Sequence, residues 1–166
     1  GDEVNIVATP KNHYHFVKWV DANDTSVVFG TEQDTTFVAS ENLNLVAMFH
    51  IDMVALTLQS DGNGELTGAG EYEYGQTVVL GNEPAEHYHL NKWYSEGNDS
   101  IASTPTLSVR VVSDTTIHAD FVLNTYTITV NAENGHNAIG SGSYTAHDFV
   151  TISAEANDNY HFYSWR

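Results

Sequence analysis

No cysteine occurs among the 166 residues, so disulfides, thiolate metal sites and cysteine nucleophiles are excluded. The absence fits either the cytosol or a surface protein that does without disulfides. Positive charge is nearly as scarce. Five Lys and Arg stand against 22 Asp and Glu, and the formal net charge is −17 with His neutral. A nucleic acid would be repelled by this field and would meet few cations able to displace its counterions, so no nucleic-acid partner is expected. Docking on anionic lipid is disfavoured for the same reason. No apolar run approaches the roughly 20 residues of a membrane-spanning helix, so no membrane insertion is expected of this segment. Three Pro are too few for a polyproline stalk. Signal-peptide, transit and lipidation motifs are missing as well. The chain opens Gly1-Asp2 rather than with Met, which reads as a trimmed fragment, so missing export signals carry no information about location.

What is present is enough apolar and aromatic content, 41% and 11%, to build cores rather than a disordered chain. It is arranged in repeats. Three aromatic segments recur: His13 to Trp19 (HYHFVKW), His87 to Trp93 (HYHLNKW) and Asn159 to Trp165 (NYHFYSW). Their tryptophans, the only three in the chain, are 74 and 72 residues apart. At the offset of 72, Gly68-Ala69-Gly70-Glu71-Tyr72 matches Gly140-Ser141-Gly142-Ser143-Tyr144, and Ala55-Leu56-Thr57-Leu58 matches Thr127-Ile128-Thr129-Val130. Leu45-Val46-Ala47-Met48-Phe49 matches Ile117-His118-Ala119-Asp120-Phe121 at the same offset.

The phasing divides the chain into residues 1–53, a partial repeat lacking its first strand, 54–123, a complete repeat, and 124–166, a partial repeat lacking its last strands. Each repeat reads as all-β. Leu56-Thr57-Leu58 and Tyr126 to Val130 alternate and are rich in β-branched residues, and turn signals follow at Asp61-Gly62-Asn63-Gly64 and Asn134-Gly135. About five short strands per complete repeat are expected, the aromatic segment being one of them, and no segment has a helical period. A unit of about 70 residues is close to the lower limit for a self-sufficient core. The tryptophans are expected to be interior in all three copies, with the other large aromatics beside them.

On these residues the chain resembles the divergent internalin-type B-repeats, also called listeria–bacteroides repeats. Their pattern is Gly-x-Gly-x-Tyr-x-x-Gly, an apolar strand with Ala and Pro, Gly-Tyr-x-Phe-x-x-Trp, and a strand ending Ala-x-Phe. Here it stands as Gly68 to Tyr72 with Gly75, then Pro84, then Tyr88 to Trp93, then Ala119-Asp120-Phe121. Leu90 replaces the Phe, His13 or His87 replaces the Gly before Tyr, and His147 stands where Gly75 does, changes expected to blur the turns. The resemblance implies an all-β fold of β-grasp-like small sheets in tandem repeats of about 70 residues. It also implies an extracellular place, on a bacterial cell surface or secreted, as the structural spacer of an adhesin-like stalk.

Other residue clusters were weighed against simpler roles. His13 and His15, like His87 and His89, would share one strand face at a metal-ligand spacing. No carboxylate recurs at a fixed distance, and the third copy has Asn159, so solvent-facing histidines beside core-facing Tyr14 and Phe16 are the simpler reading. Asp61 to Glu65 and Asp21 to Asp24 invite calcium, yet they lack the ligand spacing of an EF-hand loop and match Asx turns. Gly68-x-Gly70 and Gly140-x-Gly142 precede no helix and suggest close packing under an aromatic or a bulge rather than phosphate binding. Lys18 and Lys92 precede Trp in two copies only, which argues against an isopeptide crosslink. No catalytic, cofactor-binding or metal residues are assigned, no cofactor is expected, and the protein is not expected to be an enzyme. The alternative function is a carbohydrate- or ligand-binding β module using exposed aromatics for a host or glycan ligand. Unpaired edges at the truncated ends predict disordered tails or self-association by strand exchange.

Overall fold

The computed structural model describes residues Gly1–Arg166 and contains strands but no helix. The first repeat carries β1 (Glu3–Val7), β2 (Tyr14–Asp21), β3 (Val28–Gly30), β4 (Asp34–Val38) and β5 (Leu45–Ile51). The middle repeat carries β6 (Met53–Ser60), β7 (Gly64–Thr67), β8 (Gly70–Glu73), β9 (Thr77–Pro84), β10 (Tyr88–Ser95), β11 (Ser100–Ala102), β12 (Thr106–Arg110) and β13 (Thr115–Leu123). The last carries β14 (Thr125–Ile128), β15 (Gly135–Ile139), β16 (Gly142–Thr145) and β17 (Ser153–Ala156). The eight strands of the middle repeat exceed the expected five. The extra ones, such as β7 and β11, are three or four residues long, too short for a periodic pattern to stand out, and are held by pairing with their neighbours.

Contacts divide the chain into two compact units. One holds Gly1–Thr57, Gly68–Val79 and Ser108–Thr115; the other holds Leu58–Thr67, Leu80–Leu107 and Thr116–Arg166. In the first, β1 pairs antiparallel with β4, β2 lies between β3 and β5, and β8 pairs with β6. Its buried apolar residues are Ala8, Trp19, Val20, Leu56, Val78 and Val111. In the second, β10 lies between β11 and β13, β7 pairs with β9, β14 with β16, and β15 with β17. Leu80, Trp93, Leu107, Ile117, Ala119, Phe121 and Ala146 are buried there. Pairings therefore recur from copy to copy. The β3-β2-β5 order repeats as β11-β10-β13, and β6 with β8 repeats as β14 with β16.

The aromatic motif owes its odd spacing to a bulge. Tyr-x-Phe alternates as a strand should, but Phe-x-x-Trp breaks the period of two. The register of β2 on β5 slips between Phe16 and Lys18, and that of β10 on β13 between Leu90 and Lys92. One extra residue, Val17 or Asn91, is looped into the strand, so Phe16 and Trp19 meet with ring centroids 5.7 Å apart. Trp19 then lies directly opposite Ala47, and Trp93 opposite Ala119. The Ala of Ala-x-Phe is small because an indole lies across from it. Each indole N–H donates to a backbone carbonyl, Trp19 to Glu32 at 3.1 Å and Trp93 to Thr104 at 3.0 Å.

The third copy departs from expectation. Tyr160 to Arg166 form no strand, and Trp165 is 45% exposed where Trp19 and Trp93 are 8% and 0% exposed. The reason is local. Trp19 and Trp93 lie in strands held by β5 and β13, whereas residues 160–166 pair with no strand. Phe162 still reaches Trp165, at 5.4 Å, but nothing of that kind covers the pair. Tyr14, expected in the core, is 43% exposed.

The repeat junctions as the candidate functional site

Successive repeats are joined by one residue. Asp52 alone separates β5 from β6, and Asn124 alone separates β13 from β14. Each is held by hydrogen bonds from three directions. Asp52 N–H donates to the His13 carbonyl at 2.9 Å, its own carbonyl accepts from Tyr74 N–H at 2.9 Å, and its Oδ1 lies 2.9 Å from His15 Nδ1. Asn124 does the same with His87 (2.7 Å), Ala146 (2.9 Å) and His89 Nδ1 (2.8 Å). A single flexible residue would act as a hinge, whereas one fixed through its amide, carbonyl and side chain does not.

The partners are placed by two turns of the same kind. In the first, Tyr14 N–H bonds back to Lys11, Tyr88 to Ala85 and Tyr160 to Asn157, and the residue before each Tyr has positive φ: His13 at 65°, His87 at 68° and Asn159 at 65°. In the second, Gln76 bonds back to Glu73 and Asp148 to Thr145, with Gly75 at 83° and His147 at 72°. These are turn positions usually given to Gly or Asn, and His and Asn are among the few other residues that visit the left-handed region. The turns are thus kept, not blurred. Consequently His13 and His87 precede their strands and do not share a strand face with His15 and His89, so the expected paired-ligand geometry is not formed.

The two junctions differ in their surroundings. At the first, the His13 ring stacks on Tyr74 with centroids 3.5 Å apart and planes 6° from parallel, and His50 lies opposite His15 in the ladder, ring centroids 6.2 Å apart. At the second, Ala146 replaces Tyr74, so His87 instead contacts Tyr126 Oη through Nδ1 (3.1 Å), Glu86 through Nε2 (3.4 Å) and the His147 ring at 5.3 Å. A cleft of about 170 Å³ opens here beside His87, Tyr126, Tyr144 and His147, small for an organic ligand.

The remaining marked residues take up structural work. Asp61 Oδ1 accepts Asn63 N–H (2.9 Å) as an Asx turn, and Oδ2 accepts Phe121 N–H (3.0 Å). Burial alone would raise its pKa, but the hydrogen bonds from Phe121 and Asn63 outweigh it and hold the carboxyl below the usual carboxylate range. Gly64 lies beneath the Phe121 ring, where an added Cβ would come within 2.6 Å of Cζ. Asp24 accepts from the Ser26 hydroxyl and amide, which lower its pKa in that order. Tyr72 and Tyr144 fold back over their own Gly-x-Gly, each hydroxyl donating to the first glycine's carbonyl, at 2.9 and 3.1 Å. Lys92 Nζ sits over the Tyr94 ring at 5.3 Å. Trp19 and Trp93 point inward and offer no stacking platform.

A tandem array of small all-β repeats joined by fixed one-residue linkers is the class that this geometry defines. The chain matches the divergent InlB B-repeat domain family three times, at residues 1–52, 54–125 and 126–166, and belongs to that family. It is also 26% identical over 127 residues to a protein of Evansella cellulosilytica named as a Gly-rich membrane protein; the match covers 75% of this chain and 14% of that relative. No solved structure matches. No helix here is long and apolar enough to cross a membrane, which says nothing of β-barrels.

Proposed function

We propose that this segment is a non-enzymatic spacer, part of an adhesin-like stalk at a bacterial cell surface, built from β-grasp-like small-sheet modules. The observation that carries the reading is the pair of clamped linkers. A spacer transmits reach only if successive modules keep their mutual angle, and Asp52 and Asn124 are each held through amide, carbonyl and side chain. The acidic surface supports it, since like-charged arrays repel and stay extended. The surface location draws on the family and on the name of the Evansella relative. The inward-facing Trp19 and Trp93 weaken the alternative glycan-binding reading, which is left to the exposed Tyr160, Phe162, Tyr163 and Trp165 of the third copy. Strand exchange between copies, through the segment after Ala156 that forms no strand, is a further part of the proposal.

The native absence of cysteine makes the test direct. Spin labels on Ser40→Cys with Glu71→Cys span the first junction, and labels on Glu96→Cys with Ser143→Cys span the second. Electron–electron distance measurements at neutral pH should give one narrow distribution for each pair. Inserting Gly-Ser-Gly after the linker residue should broaden it. Broad distributions in the uninserted protein would overturn the spacer reading.

A further inference from the structure

Resting on the spacer reading, we infer that the two junctions respond to acid in opposite directions: the first tightens and the second loosens. The difference lies in which groups face each histidine. At the first junction His15 Nδ1 meets a carboxylate, Asp52 Oδ1, at 2.9 Å. Protonating the imidazole adds a full positive charge opposite the carboxylate and turns this bond into an ion pair. His13 lies flat on Tyr74, where a protonated ring gains a cation–π contact. Two other groups lie near this cluster. His50 is 6.2 Å from His15 and would oppose tightening once charged, while Glu73, which pairs in register with Met53 next to the linker, adds a carboxylate to the neighbourhood.

At the second junction the carboxylate is replaced by an amide. His89 Nδ1 meets Asn124 Oδ1 at 2.8 Å and gains no ion pair on protonation. The stacking tyrosine is replaced by Ala146, and Gly75 by His147, whose ring lies 5.3 Å from that of His87. Protonation therefore places two like charges face to edge across this junction. Glu86, 3.4 Å from His87, partly offsets them. Asp148, beside His147, has an oxygen already accepting the Thr145 amide, and Tyr126 and Asn124 bring no charge.

The same two label pairs, read at pH 8 and pH 5, test this. The first-junction distribution should narrow at pH 5 and the second should broaden. Asp52→Asn, which puts at the first junction the amide found at the second, should abolish the narrowing. His147→Gly, which installs the residue found at the equivalent turn, should abolish the broadening. His50→Gln should enlarge the narrowing. Junctions that respond alike, a response that survives Asp52→Asn, or broadening that survives His147→Gly would each overturn the inference. Narrow distributions that do not change with pH would overturn it while leaving the spacer reading intact. Broad distributions at both pH values would remove both.

Discussion

The three tryptophans occupy one motif in three degrees of enclosure, which makes their replacement by Ala a graded test of the packing argument. Trp93 is fully buried opposite Ala119, and its N–H is bound to Thr104. Removing a side chain of this size from a closed core costs about 3–5 kcal/mol. Trp19 has the same partners in kind, but its neighbourhood is looser. Phe49 is 36% exposed, whereas its counterpart Phe121 is 3% exposed beneath the Asp61–Gly64 turn. An open site collapses or hydrates more easily, so Trp19→Ala should cost less, about 2–3 kcal/mol. Trp165 is 45% exposed and covered by no strand, so Trp165→Ala should fall within about 0.5 kcal/mol of the parent, as surface changes usually do. Urea unfolding followed by far-ultraviolet circular dichroism gives the overall ranking. Amide exchange at Ala47 and Ala119, the residues facing the two buried indoles, gives the local cost at each copy. If Trp165→Ala costs as much as Trp93→Ala, or if Trp93→Ala costs under about 1 kcal/mol, the indoles are not the interior anchors described here.

Three further outcomes follow from named contacts. Gly64→Ala should destabilise the middle repeat by about 1–3 kcal/mol, because the new methyl meets the buried Phe121 ring; a calorimetric melt indistinguishable from the parent would contradict this. His147→Gly should leave stability unchanged or raise it by up to about 1 kcal/mol, since φ of 72° suits Gly; Gly75→Ala should cost about 1 kcal/mol for the converse reason, and urea midpoints read both. The lowered pKa of Asp61 means that the folded state favours its ionised form. Its contribution is therefore fully present above the unfolded carboxylate value, near pH 4, and is lost as pH falls through the lower folded value. Asp61→Asn should thus be less stable than the parent at pH 6, with the gap closing below about pH 4; a gap that stays constant across that range would refute the linkage.

Much of this molecule was legible in its residues. The absence of cysteine ruled out thiol chemistry, the scarcity of Lys and Arg set the expectation about anionic partners, and three Trp in one repeated context gave the phasing. Period-two segments such as Tyr126 to Ile128 gave the all-β class, because side-chain alternation is a property of the strand itself. The Asx turn at Asp61 was readable for the same reason: its bonds close over two residues. Contacts between residues far apart in sequence were not readable. That Asp61 also reaches the Phe121 amide, sixty residues on, depends on where β13 passes. Very short strands such as β11, three residues long, exist only because a neighbour supplies their hydrogen bonds. The motif also misled about Trp165, since an indole is interior only when another strand covers it, and a sequence pattern records the side chain but not its cover. Likewise His13 and His15 read as a matched pair until backbone torsion placed one in a turn and the other in a strand. The sequence determined the modules because their periodicity and turn chemistry are local. Only the tertiary structure decided how the modules are joined, because the clamp on Asp52 draws its partners from two separate turns that folding alone brings to one residue.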